Sequence, residues 1–200
     1  MDTVPYLFRD IVAETIADIR NISEQLESVD HSRFSLWKAA FGNHADNRSR
    51  ITLRIGFHSG RWSYTLVERK GDSDIRFVDF AYLKQLKRKY LQINSVKFRS
   101  FASHPSNRQE IDEIIKYILP FVNLANLLLD NKEMEETNLS ILLSYFQRAP
   151  FKWIIAHLYR QCYEELLRIH LQSDCLKEVY IKKNGWSQEL QAELQEFCVR

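Results

Sequence analysis

Residues 51–57 (ITLRIGF) and 62–68 (WSYTLVE) alternate apolar with polar positions and are rich in β-branched and aromatic side chains. A two-residue period of that kind predicts strands, and the intervening HSGR predicts a β-hairpin. IRFVDF, after the turn RKGDSD, predicts a further short strand. Elsewhere the period lengthens. Phe8, Val12, Ile16, Ile19 and Leu26 recur at three- and four-residue steps or their multiples, which predicts a helix over residues 8–28. A second helix is expected from Ser32, its capping residue, to about His44, with Phe34, Trp37 and Phe41 on one face. AYLKQLKRKY predicts a basic helix of two to three turns, with Leu83, Leu86 and Tyr90 turned inward.

From there the pattern repeats. INSVKFRS from Ile93, LANLLLDN from Leu124, FKWIIAHL from Phe151 and LKEVYIKK from Leu176 each carry apolar residues at relative positions 1, 4 and 6. An apolar pair precedes the last three by nine and ten residues: Ile114-Ile115, Ile141-Leu142 and Leu166-Leu167. Each pair sits in a helical pattern. A strand–loop–helix unit recurring at this period is the sequence signature of a leucine-rich repeat, in which no unit buries its own apolar face and stacked units do. An ordinary parallel α/β domain also alternates strands and helices. The shared internal spacing favours the repeat. LANLLLDN fits the consensus best: its Leu124, Leu127 and Leu129 are expected in the core, and its terminal Asn131 is expected to tie the following turn. A last helix is expected in WSQELQAELQEFCVR, capped by Ser187.

The expected architecture is therefore α/β: about four leucine-rich-repeat-like strand–helix units over residues 81–200, preceded by a helical segment over 1–50 and a β-hairpin segment over 51–80, all packed as one unit. Composition agrees, with 45% hydrophobic and 27% charged residues. The start of the chain lacks the basic region and unbroken apolar run of a signal peptide, and no apolar run reaches the length of a bilayer span. Three cysteines in the last fifth of the chain make no disulfide framework. A cytoplasmic or nuclear protein without membrane association is expected.

Charge adds an asymmetry that the net +2 hides. Residues 48–108 hold fourteen Lys/Arg against four Asp/Glu, while the segments on either side are both acidic. That basic middle suits an acidic partner or an anionic ligand. Within it, Lys84, Lys87, Arg88 and Lys89 are the candidate anion-binding residues. No nucleic-acid-binding motif accompanies them, so nucleic acid ranks behind protein as a partner.

The segments MDTVPYLFRDIVAETIADI, SRFSLWKAAF, LKQLKRKYLQI, EIIKYILPFVNLANLLL, LLSYFQRAPF and NGWSQELQAELQEF resemble a large, expanded group of nematode proteins related to F-box and F-box-associated proteins. The resemblance covers most of the chain and involves no catalytic motif. It implies a protein-binding role: an F-box docks a ubiquitin-ligase scaffold, and a C-terminal repeat region holds the target. VPYLFRDIV is similar to the start of an F-box.

Catalytic chemistry finds no support in the motifs. There is no G-x-G-x-x-G, no phosphate-binding P-loop and no G-x-S-x-G. The clusters around Glu110 and Glu133 precede or open predicted helices, where acidic residues stabilise the positive end. His157/Cys162 and His170/Cys175 share a five-residue spacing, but that step separates side chains on a helix, and no metal site is expected. The expected activity is non-enzymatic and needs no cofactor.

The repeat strands suggest a binding surface instead. If positions 4 and 6 point inward, positions 3, 5 and 7 point to the open side of the sheet. The candidate protein-binding residues are Leu128, Asp130, Trp153, Ile155, His157, Tyr180 and Lys182. The middle column would read Lys97, Leu128, Ile155, Tyr180, unless the hairpin or the N-terminal helices cover it. The partner and the oligomeric state are not specified by the sequence.

Overall fold

The computed structural model describes Val12 and residues 35–70, 74–100, 102–182 and 185–199. The expected helix over 8–28, apart from Val12, and the Ser32 cap lie outside the described residues, as does most of the F-box-like segment. Among the described residues the fold is mixed α/β, with an eight-stranded, mostly parallel sheet and six helices.

Helix α1 (Ser35–Asn47) leads into the hairpin, β1 (Ser49–His58) and β2 (Arg61–Lys70). Their two-residue turn holds Ser59 and Gly60 at φ of 49° and 76°. Two consecutive left-handed residues match the right-handed twist of a tight hairpin, and glycine takes that conformation without penalty. Strand β3 (Asp74–Val78) pairs with the end of β2, and β5 (His104–Ser106) pairs with its start. Strand β5 is three residues long and has no periodic signal in the sequence.

The basic helix is shorter than expected. Helix α2 (Phe80–Gln85), capped by Asp79, stops before the Lys-Arg-Lys run, which forms a single 3₁₀ turn (Arg88–Tyr90). Lys84, Lys87 and Arg88 would stand three and four residues apart on one helix, and such like charges destabilise it. Alternating strands and helices follow: β4 (Leu91–Arg99), α3 (Arg108–Ile118), β6 (Val122–Asp130), α4 (Glu136–Ser144), β7 (Phe151–Ala156), α5 (Gln161–Leu171), β8 (Glu178–Ile181) and α6 (Gln188–Val199). Ser187 caps α6, its Oγ accepting from the Leu190 amide at 3.1 Å.

The strand order is β3-β2-β1-β4-β6-β7-β8. From β4 to β8 each parallel strand lies beside its predecessor and the order never reverses. With right-handed crossovers, such an order places the connecting helices on one face. Packing agrees. Val96 and Phe98 of β4, Leu127 and Leu129 of β6, and Ile154 and Ala156 of β7 are fully buried in one core cluster with Ile111, Ile114 and Ile115 of α3, Leu139 and Leu142 of α4, and Leu166 and Leu167 of α5. The hairpin belongs to the same core through Ile51, Leu53, Ile55 and Leu66. It extends the sheet at the β4 edge and does not cover it.

Two residues of LANLLLDN show how local the demands on β6 and the turn after it are. Asn131 is fully buried. Its side-chain amide donates to the Arg99 carbonyl at the end of β4, and its Oδ1 accepts from the Glu133 and Met134 amides at 3.0 and 2.8 Å. One side chain thereby satisfies three backbone groups around a turn that has no strand or helix to do so. Leu124 departs from expectation. It is exposed and takes φ of 51°, while the pairing registers of β6 shift between Ile93 and Ser95 of β4 and between its own Ala125 and Asn126. Val122 and Ala125 fill the core there, so Leu124 is turned out.

Candidate functional site: the open face of the sheet

In-register partners share a face of the sheet, so the pairing lays out this surface column by column. The middle column runs Thr65, Arg54, Lys97, Leu128, Ile155, Tyr180 across β2, β1, β4, β6, β7 and β8. Beside it run Phe77, Val67, Thr52, Ser95, Asn126, Trp153 and Glu178. On the other side stand Ser63, Gly56, Arg99 and Asp130. The strand positions predicted to share this face do so, and the hairpin adds to the same columns.

Among the predicted contact residues, Trp153 and Tyr180 are 38% and 55% exposed. The Lys152 ammonium lies over the Trp153 ring, 5.2 Å from its centroid. Ile155 is half-buried. Asp130 faces His157 at 3.5 Å, and the His157 ring meets Tyr180 edge-on with centroids 6.4 Å apart. Lys182 is exposed at the end of β8. Leu128 corrects the expectation of an apolar surface residue. It points to the open side but is only 8% exposed, because it sits mid-sheet between the long side chains of Lys97 and Ile155. It is a floor to the surface and no contact on its own.

Leu124, absent from the expected surface, lines a concavity of about 560 Å³ with Trp153, Asn126, Asn94 and Lys177. Its left-handed backbone had no sequence signal: Leu carries a Cβ and takes this conformation rarely. The basic half of the face was also missed. Arg50, Thr52 and Arg54 alternate with the buried Ile51, Leu53 and Ile55, so the period of two was visible. What the sequence did not show was that the hairpin joins the same sheet. In the structure Arg50 stands directly opposite Arg69, and Arg54 directly opposite Lys97.

No open-face position of β1, β2 or β4 carries a carboxylate. Glu68 points to the helical side, opposite Ile51, and accepts from Arg76 and Tyr82. Burial pushes its carboxyl pKa up, but hydrogen bonds from Arg76 and Ser49 outweigh that and hold it below the usual range. Burial and the guanidinium groups of Arg54, Arg99 and Arg69 depress the pKa of the Lys97 ammonium. One corner of the face is covered: the Ala102 and Ser103 amides donate to Ser63 Oγ and Thr65 Oγ1 at 3.2 and 2.7 Å.

Lys84, Lys87, Arg88 and Lys89 are all exposed, but they do not converge on this face. Lys84, Arg88 and Lys89 lie over the rings of Phe80, Tyr117 and Tyr90 at 4.0, 5.9 and 4.8 Å. Arg88 and Lys89 line a separate shallow concavity with Arg48, Leu91 and Pro120. Cys162 is buried, and the His170 ring, also buried, is bonded to the Phe146 carbonyl at 3.1 Å. Among the described residues no group of three or more His, Cys, Asp or Glu is placed to hold a metal, and no helix is long and apolar enough to cross a membrane.

Comparison with protein-family models, with curated proteins and with solved structures gives no significant match to this chain.

Proposed function

We propose that this chain is a non-enzymatic protein-interaction adaptor of the cytoplasm or nucleus. Its strand–helix units act as a short leucine-rich-repeat-like array, and the open face of the sheet holds the partner. The observation that carries this reading is the exposure of Trp153 and Tyr180 on a face that also presents Arg50, Arg54, Arg69, Lys97 and Arg99. Large aromatic anchors beside positive charge suit a protein segment that is apolar at one end and acidic at the other. The F-box-like start adds a second element to the proposal, presentation of the bound protein to a ubiquitin ligase.

Replacement of Trp153 and Tyr180 together by Ala tests the face. The variant is expected to keep its fold and lose its protein partners. Unfolding of the variant would show that both rings serve the core, and the reading fails. Absence of any ligase scaffold subunit from complexes of the tagged wild type removes the ligase element alone.

The cluster of cations without carboxylates favours a second reading, binding of nucleic acid through residues 48–108. It predicts a steep fall of affinity with salt. The effect should weaken in Lys87→Glu with Arg88→Glu if the 3₁₀ turn carries it, and in Arg54→Glu if the sheet does.

A further inference from the structure

Like charges placed directly opposite on neighbouring strands destabilise a sheet. This sheet contains two such pairs, Arg50 opposite Arg69 and Arg54 opposite Lys97, on the same face and four residues apart along β1. No carboxylate among the described residues forms an ion pair with any of the four. The Arg54 Nε is shielded from solvent and has no hydrogen-bond partner. The four side chains border a concavity of about 250 Å³ whose wall also holds Thr52, Ser95 and Asn126. Guanidinium and ammonium donors, two hydroxyls and the carboxamides of Asn94 and Asn126 thus meet around a space that no carboxylate lines.

We infer that the concavity between Arg50, Arg54, Arg69 and Lys97 binds a phosphate monoester. A dianionic tetrahedral oxyanion accepts from several donors at once, and guanidinium forks match its geometry. A single carboxylate would leave most of these charges unanswered. The site is partly buried, so salt screens it less than a surface patch. The concavity is small, and a polynucleotide backbone would need cations continued along a track. Across the sheet from this cluster, Asn126 is followed toward β8 by Trp153 and then Glu178, so its column ends in an aromatic ring and a carboxylate. Arg50, Asn94 and Asn126 also line the concavity that holds Leu124 and Trp153. One ligand can therefore fill both, with its phosphate among the cations and an apolar group against Trp153. The inference deepens the open-face reading and rests on it for the second half of the ligand. The phosphate site itself stands on the cation pairs.

The test is calorimetric titration of the full chain with inorganic phosphate and O-phosphoserine, with chloride at matched ionic strength as the reference. Phosphate and phosphoserine are expected to bind, and Arg54→Gln or Lys97→Gln to weaken both by about tenfold. Trp153→Ala with Tyr180→Ala is expected to bind inorganic phosphate as the wild type does, so that loss of partners there and loss of phosphate in Arg54→Gln fail independently. The source follows from a peptide library with one fixed phosphoserine. Affinity well above that of free phosphoserine assigns the group to a protein, and equal affinity assigns it to a small metabolite; both keep the site. No phosphate heat beyond the chloride reference, or unchanged affinity in both cation variants, overturns the inference. So does a single-stranded oligonucleotide that outcompetes every monoester.

Discussion

Single residues of this protein carry local demands that composition hides. His170 is buried in a T-shaped contact with Phe151, and burial lowers its pKa despite the bond to the Phe146 carbonyl. The unfolded chain takes up a proton near the ordinary histidine pKa of about 6.5, while the folded chain stays neutral. The unfolded state then binds more protons, so stability rises with pH across this window. The contribution is complete above about pH 7 and is lost as pH falls from 6.5 toward the folded pKa. Thermal melts between pH 7.5 and 5.5 should show this slope, and His170→Gln should flatten it. Leu124 makes the opposite point. A leucine at φ of 51° is strained by roughly 1–2 kcal/mol, and at 37% exposure it recovers only part of a leucine's burial energy in return. Leu124→Asn, which tolerates that backbone, should leave stability unchanged or raise it by up to about 1 kcal/mol in denaturant melts. If it lowers stability, Leu124 serves the fold and does not belong to the binding surface.

At the scale of elements, the strands were more legible than the sheet they build. The two-residue alternation of the hairpin and the 1-4-6 spacing of the later strands placed β1, β2, β4, β6, β7 and β8 close to their observed positions, because each pattern records which side chains a strand buries. Boundaries failed where local electrostatics intervened, as at the Lys-Arg-Lys run that ends α2. Strand β5 is three residues long and includes Pro105, so it left no periodic signal. Neighbour relations between strands are set by tertiary packing, and for that reason the opposed cations of β1, β2 and β4 were not foreseen. Their cost is testable on the element itself. Arg69→Thr removes one like-charge pair and puts a good strand former in its place. It is expected to raise the melting temperature by a few degrees, more at low salt than at high salt. A fall at low salt would mean that Arg69 has a compensating partner and that the pair imposes no cost.

At the scale of the molecule, one sheet divides labour between its faces. The helical side carries the core that holds the chain together, from the hairpin to α6. The open side carries the opposed cations at one end and Trp153 with Tyr180 at the other, and its centre is floored by Leu128. Removal of a core side chain such as Leu127→Ala should cost about 2–5 kcal/mol, whereas Trp153→Ala and Tyr180→Ala should each cost no more than about 1–2 kcal/mol. That contrast separates stability from recognition, and it allows a direct comparison. Tagged wild type, the Trp153→Ala/Tyr180→Ala variant and a helical-side control, Ile169→Ser on the outer surface of α5, are purified from the same cells and their bound proteins quantified. The partners of the wild type are expected to remain with the control and to be lost from the open-face variant, with all three proteins folded. Partners retained by a folded open-face variant would contradict the open-face reading.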